Sequence, residues 1–264
     1  MKAFENKREI KAVFLDIDGT LFSHTMKKIP DSTVKALNEL KEKGVCVFLA
    51  TGRAMGEIEG LNLKDIEVYG YIALNGHMCY DKERKLIYSL TIEDEDAAIL
   101  KKLFAAKKVP MCIVEKDDLY INFVNEKVEE VLGAVTTAIP PVKEYQGGEI
   151  YQFIIYCSPE EGKEWIKDTK RCKIHYWHKE GADILHIDSG KAASIAQMLD
   201  LYKMDREEIM VFGDGENDID MITYAGIGIA MGNALESVKQ YADYVTDHID
   251  EDGIWNALKY FEVL

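Results

Sequence analysis

The chain has 264 residues, 47% apolar and 30% charged, with Asp and Glu outnumbering Lys and Arg 47 to 32. That length can bury one large core or two modest ones, and the composition is that of a globular chain rather than a disordered one. A formal charge of −15 excludes nucleic acid as the default partner, because a phosphate backbone is bound through a surplus of Lys and Arg.

Cys46, Cys79, Cys112, Cys157 and Cys172 have no paired spacing, so they are expected to be reduced thiols rather than disulfides or a zinc site. The first residues carry charges where a secretory leader needs an apolar stretch, and no apolar run reaches the length of a membrane span. The expectation is a cytoplasmic protein without a membrane partner.

In chain order, Ala12-Val13-Phe14-Leu15 is a short apolar run that ends at Asp16. After Pro30-Asp31-Ser32, Val34, Leu37 and Leu40 recur at helical spacing until Gly44 stops them, as a C-terminal cap does. Val45 to Ala50 ends at Thr51-Gly52-Arg53, and Tyr71 to Leu74 ends at Asn75-Gly76. Continuous apolar runs of this length are expected to be strands covered on both faces.

From about residue 83 to 186 the pattern changes. The strands over Leu119 to Val124 and Tyr151 to Tyr156 are more amphipathic, and helices are expected over Asp94 to Lys108 and Pro159 to Lys170. The order β-α-β-β-α, then β-α-β-β, predicts an α+β insert outside the parallel sheet. A last buried run, Ile209 to Phe212, ends at Gly213-Asp214-Gly215. The predicted fold is α/β, a Rossmann-like parallel sheet built from residues 1–83 and 187–264, with an inserted domain at 84–186. In such sheets ligands bind beyond the carboxyl ends of the strands, where these polar residues fall.

Asp16-Ile17-Asp18-Gly19-Thr20 places two carboxylates at one strand end, and Gly19 allows the turn that brings the second acid toward the ligand of the first. Such a pair can divide its work between an ionised nucleophile and a proton donor. An EF-hand calcium loop is excluded, since it needs its glycine sixth and a glutamate twelfth, whereas here the glycine is fourth and the twelfth residue is Lys27. The Gly213 to Asp218 segment fails the same test, with Ala225 in the glutamate position.

Oxygen ligands from Asp16, Asp214 and a main-chain carbonyl suit a hard Mg²⁺ ion. The metal answers a physical problem. Two like charges about 4 Å apart repel by about 4 kcal/mol at an effective dielectric near 20, and a carboxylate that attacks a phosphate beside other acids meets several such terms. Ser189-Gly190-Lys191 opens a helix over Ala192 to Leu199, a mildly unfavourable place for a cation unless an anion lies there. A Walker A loop is excluded, because Leu185 stands at its first glycine position and Ala192 follows the lysine. Thr51-Gly52 reads either as a plain turn or as a hydroxyl and an N–H aimed at a phosphoryl oxygen.

D-x-D-G-T, T-G-R, a lone lysine and G-D-G-x-N-D, in this order, resemble the haloacid dehalogenase superfamily of phosphohydrolases. The α+β insert between the second and third motifs is similar to that of the Cof-type group (subfamily IIB), whose large C2B cap covers the site. The resemblance implies Asp16 as nucleophile and Mg²⁺ ligand, and Asp18 as general acid and base with its main-chain carbonyl on the metal. It implies Asp214 and Asp218 as further metal residues. Thr51, Lys191 and Asn217 would hold the phosphoryl group, with N–H groups near Ile17 and Gly52. Arg53, Asn75 and His178 are candidates to line the substrate, with Glu180 and Asp183 as further contacts from the insert. His175 and His178 are too poorly placed along one strand to act together on a metal.

The expected reaction is hydrolysis of a small phosphate monoester, with a sugar phosphate as one class. The partner is then a small phosphorylated metabolite. A phosphomutase of the same fold and a non-catalytic phosphometabolite sensor are the alternatives.

Overall fold

The computed structural model describes residues 9–135 and 137–264, so the first eight residues of the expected first segment lie outside the described part. The chain divides into two compact units. One runs up to Ser89 and resumes at Gly190; the other is Leu90–Ser189.

The first unit begins with β1 (Ala12–Leu15), α1 (Asp31–Glu42), β2 (Cys46–Ala50), α2 (Met55–Glu59), β3 (Gly70–Ala73), β4 (Met78–Asp81) and β5 (Leu86–Ser89). The inserted unit then contributes α3 (Asp94–Ala106), β6 (Met111–Val114), β7 (Leu119–Ile121), α4 (Glu126–Ala134), β8 (Gln152–Ile155), α5 (Pro159–Ile166), β9 (Cys172–His178) and β10 (Gly181–His186). The first unit is completed by α6 (Lys191–Tyr202), β11 (Ile209–Gly213), α7 (Ile219–Tyr224), β12 (Ile227–Ala230), α8 (Glu236–Lys239), β13 (Tyr244–Val245) and α9 (Gly253–Tyr260).

The eight-stranded sheet of the first unit has the order β13-β12-β11-β1-β2-β3-β4-β5. Its strands are parallel from β13 to β3, and β4 and β5 return antiparallel as a hairpin extension. β1 lies at the centre and all four of its residues are fully buried, as its unbroken apolar run requires. On one face Phe14, Phe48 and Ile72 pack against Ile195, Met198 and Leu199 of α6 and Met221 and Ile222 of α7. α1 packs on β2 and against α9. The strand order runs one way from β1 through β2 and β3 and the other way from β11 through β12 and β13, which places the topological switch between β1 and β11, where open α/β sheets bind ligands.

The second unit is a five-stranded antiparallel sheet, β7-β6-β8-β10-β9. One core joins α3, through Leu100 and Phe104, to Met111, Ile113, Phe153, Ile155, Ala182 and Ile184. The alternate strand residues Cys112 and Ile154 pack with Val128, Val131 and Leu132 of α4.

The observed boundaries differ from 83/84 and 186/187. β5, read from sequence as the first strand of the insert, pairs with β4 and belongs to the first unit. Its alternating half-buried pattern marks the edge of the large sheet. The helix expected to reach Lys108 stops at Ala106, because Lys107 turns left-handed (φ 50°) and its N–H bonds Phe104 O. The helix expected to reach Lys170 ends at Ile166. β7 ends at Ile121, short of Val124, because Asn122 turns its amide inward. There its Oδ1 accepts from the N–H groups of Met111 and Phe123, and its Nδ2 donates to the carbonyls of Phe104 and Val109.

Candidate active site

Asp16 directly follows β1 and is 6% exposed. The next residues form a tight coil in which the N–H groups of Leu21 and Phe22 bond Ile17 O at 3.0 and 2.7 Å. Gly19 sits at φ +82°, and a Cβ there would lie 2.3 Å from Asp214 Oδ2. No other residue fits both the backbone and the space. This turn carries Asp18 out of the strand, where it is more exposed than Asp16.

Other elements of the first unit bring further groups to the same edge. β11 ends in Gly213; Asp214 follows it directly, and the short helical turn Glu216–Asp218 presents Asp218. The carboxylates of Asp16, Asp214 and Asp218 offer oxygens that all lie within 4.8 Å of one another. Asp218 is fully buried, and its Oδ2 accepts from the N–H groups of Asp214 and Gly215, both at 2.9 Å. That bracing aims its Oδ1 at Lys191.

Lys191 is the first residue of α6 and is 1% exposed. Its Nζ donates to Asp16 Oδ1 at 2.6 Å and to Asp218 Oδ1 at 2.5 Å. The helix start is held by Ser194 Oγ, which donates to Gly76 O at 2.7 Å, and by Asp220, whose Oδ2 accepts from Ala192 N–H at 3.2 Å. Asp220 was not singled out from sequence, although it lies two residues beyond Asp218.

The electrostatics of this cluster are unbalanced. Burial pushes the Asp16 carboxyl well above its ordinary pKa, with Lys191 opposing the rise and Asp218 and Asp214 adding to it. Burial likewise pushes Asp214 up to about 7, against a hydrogen bond from Thr20 Oγ1 at 2.7 Å. Burial pulls the Lys191 ammonium down, but Asp16 and Asp218 more than offset it and its pKa ends above the ordinary lysine value. Three carboxylates thus share one ammonium. A hard, oxygen-seeking divalent cation fits that donor set and its surplus of negative charge.

Around this point the other expected residues divide. Asp18 is gripped by Arg53, whose Nε and Nη2 donate to its two oxygens at 2.7 and 2.6 Å, and His24 Nε2 lies 3.0 Å from Asp18 Oδ1. Arg53, expected to line the substrate, is therefore engaged with the second acid. The carboxylate hydrogen bond raises the guanidinium pKa further. His24 had no sequence signal beyond its closeness to the D-x-D motif.

Thr51 is 1% exposed at the end of β2, and its Oγ1 accepts from Arg53 N–H at 3.2 Å. Gly52 packs against Asn75, whose Oδ1 would lie 3.1 Å from a Cβ there. Asn75 Oδ1 accepts from Asn217 Nδ2 at 3.1 Å, so the two asparagines come together across 142 residues of chain. Leu74 and Asn75 are both left-handed, at φ 50° and 51°, a costly conformation for leucine. The turn is tied to the Thr51 loop by Leu74 N–H to Arg53 O and Asn75 N–H to Thr51 O, each at 3.0 Å.

The candidates in the second unit belong to their own local structure. His178 ends β9 opposite Gly181, and its Nδ1 accepts from Glu180 N–H at 3.2 Å. Glu180 meets Lys127 at 3.0 Å. Asp183 accepts from Trp177 Nε1 at 3.0 Å, and His175 is its cross-strand partner. Among the described residues no helix is long and apolar enough to cross a membrane.

Comparison with known proteins places this geometry. The haloacid dehalogenase-like hydrolase family model matches residues 13–258. Over 252 residues the chain is 33% identical to YkrA of Bacillus subtilis strain 168, covering 94% of this chain and 96% of that protein. The solved structure of BT1666 from Bacteroides thetaiotaomicron, studied among phosphatases of the haloalkanoate superfamily, matches with a TM-score of 0.90 at 32% identity, covering 97% of this chain and 96% of that one. That of BT4131, a sugar phosphatase of subclass IIB, matches with a TM-score of 0.84 at 35% identity, covering 96% and 100%.

Proposed function

The chain belongs to the haloacid dehalogenase-like hydrolase family and is a Cof-type phosphatase, and from that premise we propose that it hydrolyses a small phosphate monoester through an aspartyl-phosphate on Asp16. The observation that carries this reading is the pairing of a buried carboxyl group, in contact with Lys191 Nζ at 2.6 Å, with a second, more exposed acid two residues on.

Asp16 attacks phosphorus and forms the acyl-phosphate bond while the ester P–O bond breaks. Asp18 gives its proton to the departing oxygen, then takes one from the water that hydrolyses the intermediate. Arg53 orients Asp18 through both carboxylate oxygens. Lys191 favours the ionised form of Asp16 against burial and the neighbouring carboxylates, aligns it, and offers positive charge to the phosphoryl oxygens beside it. The Thr51 hydroxyl, Asn217 and the N–H groups of Ile17 and Gly52 complete the phosphate cradle.

Asp16, Asp214, Asp218 and the Asp18 carbonyl are the residues that would hold Mg²⁺. When bound, the ion neutralises charge on the carboxylates and the phosphoryl group. A sugar phosphate is the favoured substrate class, since the subclass IIB relative BT4131 is a sugar phosphatase.

The test is release of inorganic phosphate from p-nitrophenyl phosphate, with and without Mg²⁺, followed by a panel of sugar phosphates. Asp16→Asn should lower turnover by about three orders of magnitude or more while keeping the native circular dichroism spectrum. Near-normal turnover in that variant would sink the assignment.

A further inference from the structure

We propose that Asn233 is a positioning residue for this reaction: its carboxamide clamps the turn that carries Asp18. The inference rests on the phosphatase reading above.

The requirement comes from Gly19. The turn needs a residue without a Cβ, yet glycine leaves the backbone with more freedom than any other residue. Torsional preference therefore does not fix where Asp18 points. The Gly19 N–H bonds Phe22 O at 3.1 Å within the same loop, which moves with the loop and anchors nothing. Arg53 and Thr20 hold side chains of this loop, and the external restraint on the Gly19 backbone is Asn233, whose Nδ2 donates to Gly19 O at 2.7 Å.

The other end of the same amide is fixed as well. Asn233 Oδ1 accepts from Ile249 N–H at 3.0 Å. A carbonyl can only accept and an N–H can only donate, so these partners set the amide orientation, and no other small side chain offers a donor and an acceptor on one planar group.

The loop that bears Asn233 is also tied to the other acidic motif. Met231 N–H bonds Gly213 O at 3.0 Å, and Leu235 N–H bonds Asp214 O at 3.3 Å. Gly232 N–H bonds Asp247 O at 3.0 Å, which holds the loop to the C-terminal segment. Asn233 thus registers the turn bearing Asp18 against the strand end bearing Asp214, without being placed to touch the phosphoryl group itself.

The experiment measures kcat, KM and melting temperature for Asn233→Ala and Asn233→Asp with p-nitrophenyl phosphate. Asn233→Asp keeps the acceptor for Ile249 but sets a second acceptor against the Gly19 carbonyl. Both variants should lose about 10- to 100-fold in kcat, the scale of a misplaced reacting group, with KM within about threefold of the wild type. Ser23→Ala is the control for general loosening, because it breaks the Ser23–Asp250 hydrogen bond (2.5 Å) between the same loop and the same C-terminal segment. Its kcat should stay within about twofold.

If Asn233→Ala or, should that variant not fold, Asn233→Asp keeps wild-type kcat while Asp16→Asn is inactive, the positioning role is overturned and the reaction stands. An equal kcat loss in Ser23→Ala overturns it too. An active Asp16→Asn variant instead removes the reaction on which the inference rests.

Discussion

Two aspartates, one in each unit, shift in opposite directions. Asp96, in the first turn of α3, is 1% exposed. Burial pushes its pKa up, but the N–H groups of Lys170 and Arg171, at 2.9 and 2.7 Å, outweigh that and hold it below the ordinary carboxylate value. Asp214 is pushed up to about 7, and Asp16 rises with it. The difference separates an acid satisfied within its own unit from one that is not. The inserted unit satisfies Asp96 from within the chain, whereas among the described residues the first unit gathers three carboxylates around the Lys191 ammonium and leaves charge for a ligand from outside to balance. Raised carboxylate pKa values of this kind cluster at functional sites.

The largest effect that bears on this contrast is expected from Lys191→Met, which removes the cluster's ammonium. Breaking a buried ion pair from one side costs about 3–5 kcal/mol, read as a lower urea midpoint in metal-free protein, together with loss of turnover. An unchanged midpoint would show that the carboxylates find compensation elsewhere in the chain.

Next in size is a pH dependence with opposite signs in the two units. The Asp214 carboxyl titrates near 7 folded and near about 4 unfolded, so between those values the folded state holds more protons. Its contribution to stability therefore falls as pH rises from about 4 to 7 in metal-free protein. Bound Mg²⁺ favours the ionised form and removes that loss, so the rise in melting temperature on adding Mg²⁺ should be larger at pH 8 than at pH 5. Asp96 behaves conversely: its contribution is present above the unfolded pKa and is lost as pH falls through its lowered folded value. A Mg²⁺ effect that is equal at both pH values would break the comparison.

Asp96→Ala leaves two N–H groups without their acceptor and should cost about 1–3 kcal/mol in chemical denaturation. Thr20→Val is expected to have the smallest effect. It removes the hydrogen bond that favours ionised Asp214, costs about 1 kcal/mol, and should shift the Mg²⁺ dependence of turnover to higher concentration.

Much of the site was legible in the sequence because its residues stand at the ends of apolar runs, and a parallel sheet brings those ends to one edge. Asp16, Thr51 and Asp214 were found that way, and Lys191 by its odd place at a helix start. The roles within the cluster were not legible. Spacing could not show that Arg53 grips Asp18, or that Asn75 and Asn217 meet. Nor could it find Thr20 on Asp214, Asp220 at the start of α6, or Asn233 on Gly19, because each joins segments that are distant in sequence or gives no periodic signal.

By itself, the sequence determined which residue types arrive at the ends of β1, β2 and β11, since hydrophobic periodicity dictates strands and the strands dictate an edge. It also determined that the middle of the chain folds as a separate α+β unit, because its order of strands and helices departs from the strand-helix alternation on either side. Only the tertiary structure decided how charge is shared there. Burial, the 2.6 Å contact of Lys191 with Asp16 and the hydrogen bonds that brace Asp218 depend on distances between segments, and electrostatic energy in a poorly solvated site follows those distances rather than the order of residues along the chain.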